Sequence, residues 1–242
     1  MNGPVDPISE TSQTKLSEAW RILGKLGHVD TIFNHISIAS RDVRGVLQVT
    51  MNPDGYLPSE VLPARMMTFP IEGIDTVDAE KIGVNRDGFE LHSTVHRARM
   101  APGTVLHTHS PYALAVGATS RGLLPLSQTA MEFVQDAIYI EYDGLFRNLA
   151  ENPAFAEFSV RGGIAFLRNH GTLIVTEHIE DAVYIQHFLE DACKMQVITL
   201  SQNQELLIPP DVVIKNASNI LKQDRHREAT KLFGAFRRTL LS

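Results

Sequence analysis

The sequence predicts an α/β fold, a single α/β/α layered domain around a central mixed β-sheet. Three observations carry this. Short strand-like apolar runs alternate with longer stretches of helical period. The 242 residues suit one large domain with a full core. No internal repeat, low-complexity tract or Gly/Ser linker divides them.

The elements follow in order. Residues 1–11 are polar, hold two prolines and read as a mobile arm, which leaves 12–242 as the domain. Leu16, Ala19, Trp20, Leu23 and Leu26 recur at helical spacing, and Gly27 can close that helix. Residues 36–40 and 46–50 alternate as two strands around a turn at 42–45. A second turn is expected at 52–55, and short strands at 66–69 and 76–77. Beyond 85–88 a helix is expected over 91–100, then a strand over 104–109 and a helix from Pro111 to Ala118. A strand is expected at 138–142 and mostly helix at 145–160, interrupted at Pro153. Apolar strands at 164–167 and 173–175 flank Arg168-Asn169-His170-Gly171. A long helix is predicted over 180–201, with Pro209-Pro210 as a break and a polar helical tail from Asp211.

Composition excludes several classes. Twenty-two Lys and Arg against 28 Asp and Glu give a net charge of −6, the wrong sign for a nucleic-acid binder. No apolar run approaches the ~18 residues of a membrane span. The start of the sequence lacks the basic and apolar regions of a signal peptide. The single Cys193 forms no intrachain disulfide and fits a reducing compartment. A soluble cytoplasmic protein with a small-molecule substrate, and neither nucleic acid nor membrane as partner, is the expectation.

Ten histidines beside one tryptophan are the unusual feature. Histidine is the commonest metal ligand and titrates near neutral pH. His107 and His109 are one residue apart on a predicted strand, so their side chains share a face. Alone, such a pair fits ordinary hydrogen-bonded histidines as well as ligands. His170 sits at a strand end before Gly171, where bare backbone permits close approach to a ligand. Together the three supply neutral imidazoles suited to one divalent ion, zinc first, with iron, manganese, cobalt and nickel as alternatives. His92 and His96, four apart on a predicted helix, form a rival pair on one face. His28, His178, His187 and His226 stand alone and read as core or surface residues.

In this order the motifs resemble the class II aldolase/adducin family, over about residues 16–202. They are Asn34-His35-Ile36-Ser37, Gly88-Phe89-Glu90-Leu91-His92-Ser93 with His96, Val105-Leu106-His107-Thr108-His109, Leu123-Leu124-Pro125-Leu126-Ser127-Gln128, Leu167-Arg168-Asn169-His170-Gly171 and Phe188-Leu189-Glu190-Asp191-Ala192-Cys193. The adducin-like branch is nearer than the sugar-phosphate aldolases. The resemblance implies an α/β/α fold of the class II aldolase type, a homotetramer with active sites near subunit contacts, and a metal held by His107, His109 and His170.

The departures are equally informative. The family's acid–base glutamate corresponds to Gly88, and Glu90 would face another side. The phosphate-binding serines correspond to Arg86 and Asp87, and the G-N-x-S phosphate loop to Asn34-His35-Ile36-Ser37. A sugar-phosphate aldolase is therefore not expected. The reading is a metal-dependent lyase cleaving an aldol bond or decarboxylating a small non-phosphorylated oxygenated acid or carbonyl compound, since an ion with an open position stabilises an enolate. His92 is the first proton-transfer candidate and His35 the second. Asn34 and Arg168 are the expected substrate contacts. A non-heme oxygenase on the same three histidines, and a non-catalytic adducin-like protein, are the alternatives. True adducin's long basic tail has no counterpart before Ser242. The wide apolar surface of helix 180–201, through Phe188, Met195 and Ile198, supports a homo-oligomer.

Overall fold

The computed structural model describes residues 7–29, 31–141 and 151–240. Its first helix, α1 (Pro7–Lys25), starts five residues before the expected domain boundary at residue 12, so part of the expected arm is helical. Proline suits a first helical turn, where its missing N–H has no partner to lose. Strands β1 (His35–Arg41), β2 (Leu47–Met51) and β3 (Met67–Pro70) follow. The strand expected at 76–77 is instead the end of a 3₁₀ turn, Ile74–Thr76, entered through Gly73 in the left-handed region. Helix α2 (Ala79–Ile82) leads to α3 (Arg86–Arg99), which begins earlier than its apolar pattern because the Asn85 side chain caps the Gly88 N–H. Then come β4 (Gly103–Thr108), α4 (Pro111–Gly117), α5 (Gln128–Phe133) and β5 (Ile138–Ile140).

The expected helix at 145–150 lies outside the described residues. Pro153 does not interrupt a helix but opens α6 (Pro153–Arg161), with Asn152 capping the N–H groups of Ala154 and Phe155. Strands β6 (Gly163–Leu167) and β7 (Gly171–Thr176), then α7 (Ile179–Ser201) and α8 (Asp211–Thr239), complete the chain.

The strands form one mixed sheet in the order β3-β2-β1-β4-β7-β6-β5. All neighbours are antiparallel except β5 and β6. Side-chain alternation builds two cores from the same strands. Leu106, Ile164, Phe166 and Ile174 pack with Trp20, Val183 and Leu189 on the α1/α7 side. Val105, Ala165, Leu173 and Val175 pack with Leu91, Val95, Phe155 and Phe158 on the α3/α6 side. The result is the expected α/β/α layering. The tail helix α8 is tied to the body by Arg225, whose Nε lies 2.6 Å from Oε1 of the buried Glu132. Among the described residues no helix is long and apolar enough to cross a membrane.

The central register positions the chemistry. His35 pairs with His107 across β1 and β4, and β7 flanks β4 on the other side. His107 thus shares the α3 face with Val105, while Thr108 points the other way and donates to Gln186 of α7 (2.8 Å).

Candidate metal centre

His107 is the penultimate residue of the buried strand β4, His109 follows the strand, and His170 sits in the turn before β7. Asn169 in that turn takes φ 58°, a conformation asparagine tolerates better than most residues. The fold brings the three Nε2 atoms together, with His107–His109 at 2.9 Å, His107–His170 at 3.1 Å and His109–His170 at 3.2 Å. A point about 2 Å from all three nitrogens exists for such a triangle, which matches Zn–N bonds of about 2.0–2.1 Å. The tautomer fits as well. Nδ1 of His107 lies 2.9 Å from the Thr172 carbonyl, which only accepts, so Nδ1 carries the proton and Nε2 offers its lone pair. Burial, reinforced by neighbouring imidazoles, holds His107 well below the usual histidine range. Burial likewise lowers His170 to about 4, with nearby Asp87 acting in the opposite direction. Neutral imidazoles at neutral pH are the ligand form. The three are the one group of metal-ligating side chains of this kind among the described residues.

Gly171 serves differently from the expectation. A Cβ there would lie 2.3 Å from the Thr108 carbonyl oxygen, so the glycine permits close approach of β7 to β4, not of a ligand.

The histidines floor a cavity of about 140 Å³, lined further by Phe33, His35, Asn85, Asp87 and Leu91. That volume is far above the ~10–15 Å³ one water needs. His35 therefore reaches the cavity and His92 does not. His92 is 1% exposed, behind His35, and the two rings meet edge-on at 5.8 Å. The first proton-transfer candidate and the second exchange ranks, because α3 turns His92 into the core. Its Nδ1 lies 2.6 Å from Ser37 Oγ, which lies 2.7 Å from His96 Nε2. One hydroxyl proton serves two nitrogens, so one imidazole must donate to Ser37 and the other accept from it. Among the described residues, Nδ1 of His35 and Nε2 of His92 are buried without hydrogen-bond partners.

His35 also explains Gly88. A Cβ at residue 88 would lie 2.6–2.7 Å from three atoms of the His35 ring. The imidazole from β1 thus fills the space a side chain on α3 would need. Burial, chiefly, lowers His35 to about 3, an Asn85 hydrogen bond opposing it. Glu90 points to solvent and pairs with Arg86 at 3.4 Å, as expected for a residue on another side of the helix.

Neither expected substrate contact faces the cavity. Asn34 is fully buried, and its Oδ1 accepts the His109 N–H at 2.7 Å, so it positions a histidine-bearing backbone. Arg168 donates to the carbonyls of Gly117 (3.1 Å) and Thr119 (2.7 Å), pairs with Glu141 (3.0 Å) and covers the Tyr139 ring. Carbonyls left free at the end of α4 attract the guanidinium, which is spent there. Phe33, Asn85, Asp87 and Leu91 are the lining residues that sequence reasoning missed as contacts. The available signal for Asp87 was its place at a phosphate-binding serine of the family pattern.

Comparisons with known proteins agree with this geometry. The family model of the class II aldolase and adducin N-terminal domain matches residues 14–197. A Caulobacter vibrioides protein named for the class 2 aldolases is 31% identical over 212 residues, 87% of this chain and 81% of that protein. Mouse alpha-adducin is 34% identical over 190 residues, 77% of this chain but 25% of adducin, so the chain spans about a quarter of that relative. A Streptomyces roseochromogenus protein named 4-hydroxy-3-prenylphenylpyruvate oxygenase/4-hydroxy-3-prenylbenzoate synthase is 31% identical over 163 residues, 66% of this chain and 58% of that protein. Among solved structures, an aldolase II superfamily protein from Pseudomonas syringae superposes with a TM-score of 0.87 at 30% identity, covering 98% of this chain and 94% of the other.

Proposed function

This chain belongs to the class II aldolase and adducin family, and from that premise we propose a metal-dependent carbon–carbon lyase. It cleaves an aldol bond or decarboxylates a small, non-phosphorylated oxygenated acid or carbonyl compound. The convergence of the His107, His109 and His170 Nε2 atoms at the floor of a cavity carries this reading. When bound there, a divalent ion, zinc first, polarises a carbonyl and stabilises the enolate that carbon–carbon cleavage leaves. The chain supplies the rest. Asn34 and the Thr172 carbonyl orient the ligand-bearing segments. His35, standing in the space of a residue-88 side chain, moves the proton at the enolate carbon. His92 acts on His35 from behind, and the Ser37 bridge to His96 holds it in place. A homotetramer in the cytoplasm belongs to the same proposal. Met195 and Ile198, one turn apart on α7, leave apolar side chains in water, each at 44% exposure.

Solvent-deuterium incorporation into the methyl group of pyruvate tests enolate formation without knowledge of the substrate. Incorporation is expected with one metal per chain and is lost with chelator. A fully loaded protein that leaves the methyl protons untouched contradicts the lyase. The relative named as an oxygenase supports a second reading, with iron in the same site. Iron in protein purified without added metal, together with oxygen uptake, would favour it; a protein that takes up no metal would favour a structural role.

A further inference from the structure

We infer that Phe33 and Asp87 select the substrate, admitting a compound with an apolar, aryl-sized tail and a hydroxyl or ammonium donor and turning away a phosphate. The inference rests on the metal-centre reading above and adds the chemistry of the part that does not reach the ion. Phe33 is 57% exposed although it lines a cavity. Its place is not left to a free loop, because the next residue, Asn34, is buried and bonded to the His109 N–H. With Leu91 it makes an apolar wall beside the imidazoles. An aromatic face held open next to a polar floor is what a ligand with an apolar body and a polar head covers.

Charge decides the other half. Asp87 is exposed on the first turn of α3 and lines the same cavity as His170. It is the one carboxylate of the lining among the described residues. The nearest strand-end cation, Arg168, is committed to two carbonyls and Glu141. A phosphate held away from the ion would meet a carboxylate with no cationic side chain among the described lining residues, whereas a hydroxyl or ammonium would donate to it.

Three hydroxamates share a metal-chelating head and differ in tail: acetohydroxamate, phenylacetohydroxamate and phosphoglycolohydroxamate. Their dissociation constants are read from the visible spectrum of cobalt-loaded protein and by calorimetry. Phenylacetohydroxamate should bind about tenfold tighter than acetohydroxamate, a gain that takes roughly 55 Å² of apolar surface withdrawn from water. The phosphate probe should bind weakest. Phe33→Ala should erase the phenyl gain and leave acetohydroxamate unchanged, and Phe33→Leu should keep part of it. Asp87→Asn should tighten the phosphate probe several-fold and move the other two little. If the phosphate probe binds best, if the phenyl group adds nothing, or if Phe33→Ala weakens all three alike, the inference is overturned while the metal centre stands. If cobalt does not load, or loads and no hydroxamate alters its spectrum, the metal-centre reading fails and the inference with it.

Discussion

Two groups of histidines lie on the same side of the sheet and differ in what stands between their nitrogens. At the cavity, the Nε2 atoms of His107, His109 and His170 approach within 2.9–3.2 Å, with the outer nitrogen of His107 tied to a carbonyl. Behind it, His92 and His96 face each other across the Ser37 hydroxyl and are sealed from solvent. The first arrangement turns lone pairs toward one point that an ion can fill. The second engages one nitrogen of each imidazole with a hydroxyl, and His92 touches the cavity only through His35. Residue type is alike in the two groups. Whether a protein group intervenes separates a ligand set from a hydrogen-bonded brace.

The largest effect that would sharpen this contrast concerns the residue between the groups. His35→Gln should slow deuterium incorporation into pyruvate by roughly 10²–10⁴ while metal content stays at the wild-type level. His92→Gln should cost far less, since its side chain does not line the cavity. Equal losses would return His92 to the reaction itself.

Buried neutral histidines should make stability fall with acid while most carboxylates are still ionised. Burial lowers His96 to about 3, and burial with the neighbouring His187 lowers His28 to about 4. Below pH 6.5 the unfolded chain takes up protons that these folded sites refuse. Stability is therefore full above pH 6.5 and falls as pH drops from there toward 4 and then 3. Each of the two contributes a slope of up to about 1.4 kcal/mol per pH unit. Urea midpoints between pH 7.5 and 5 should decline on that account, and a flat profile would contradict buried neutral histidines.

A smaller change is expected from Ser37→Ala. It leaves two buried imidazole nitrogens without their shared hydroxyl, a cost of about 1–3 kcal/mol in unfolding free energy. Metal content should not change, because the hydroxyl touches neither His107 nor the cavity. Loss of metal in this variant would merge the two groups into one site.

Much of this was legible in the sequence. The expected strand over 104–109 is β4 up to Thr108, with His109 just past its end, and the turn before Gly171 brings His170 to His107 and His109. The helix-period stretches of 16–26 and 180–201 correspond to α1 and α7. Other features depended on contacts across the sheet. The pairing of His35 with His107, and the crossing of α3 that lays Gly88 on the His35 ring, arise from register and packing, which spacing does not encode. Arg168 stands two residues before His170, yet the end of α4 captures it, and only the fold brings those carbonyls near. Asn34 precedes His35 but turns toward the His109 backbone because β1 and β4 are neighbours. Starts of helices were missed where a cap, not an apolar period, sets them, as at Asn85 and Asn152.

Metal analysis of protein purified without added metal tests the central claim most directly. The wild-type chain should carry about one divalent ion. The His107→Ala, His109→Ala, His170→Ala triple variant should carry none, and a His92→Gln, His96→Gln double variant should retain the full complement. A triple variant that keeps its metal, or a double variant that loses it, would contradict the assignment of the ion to the cavity histidines.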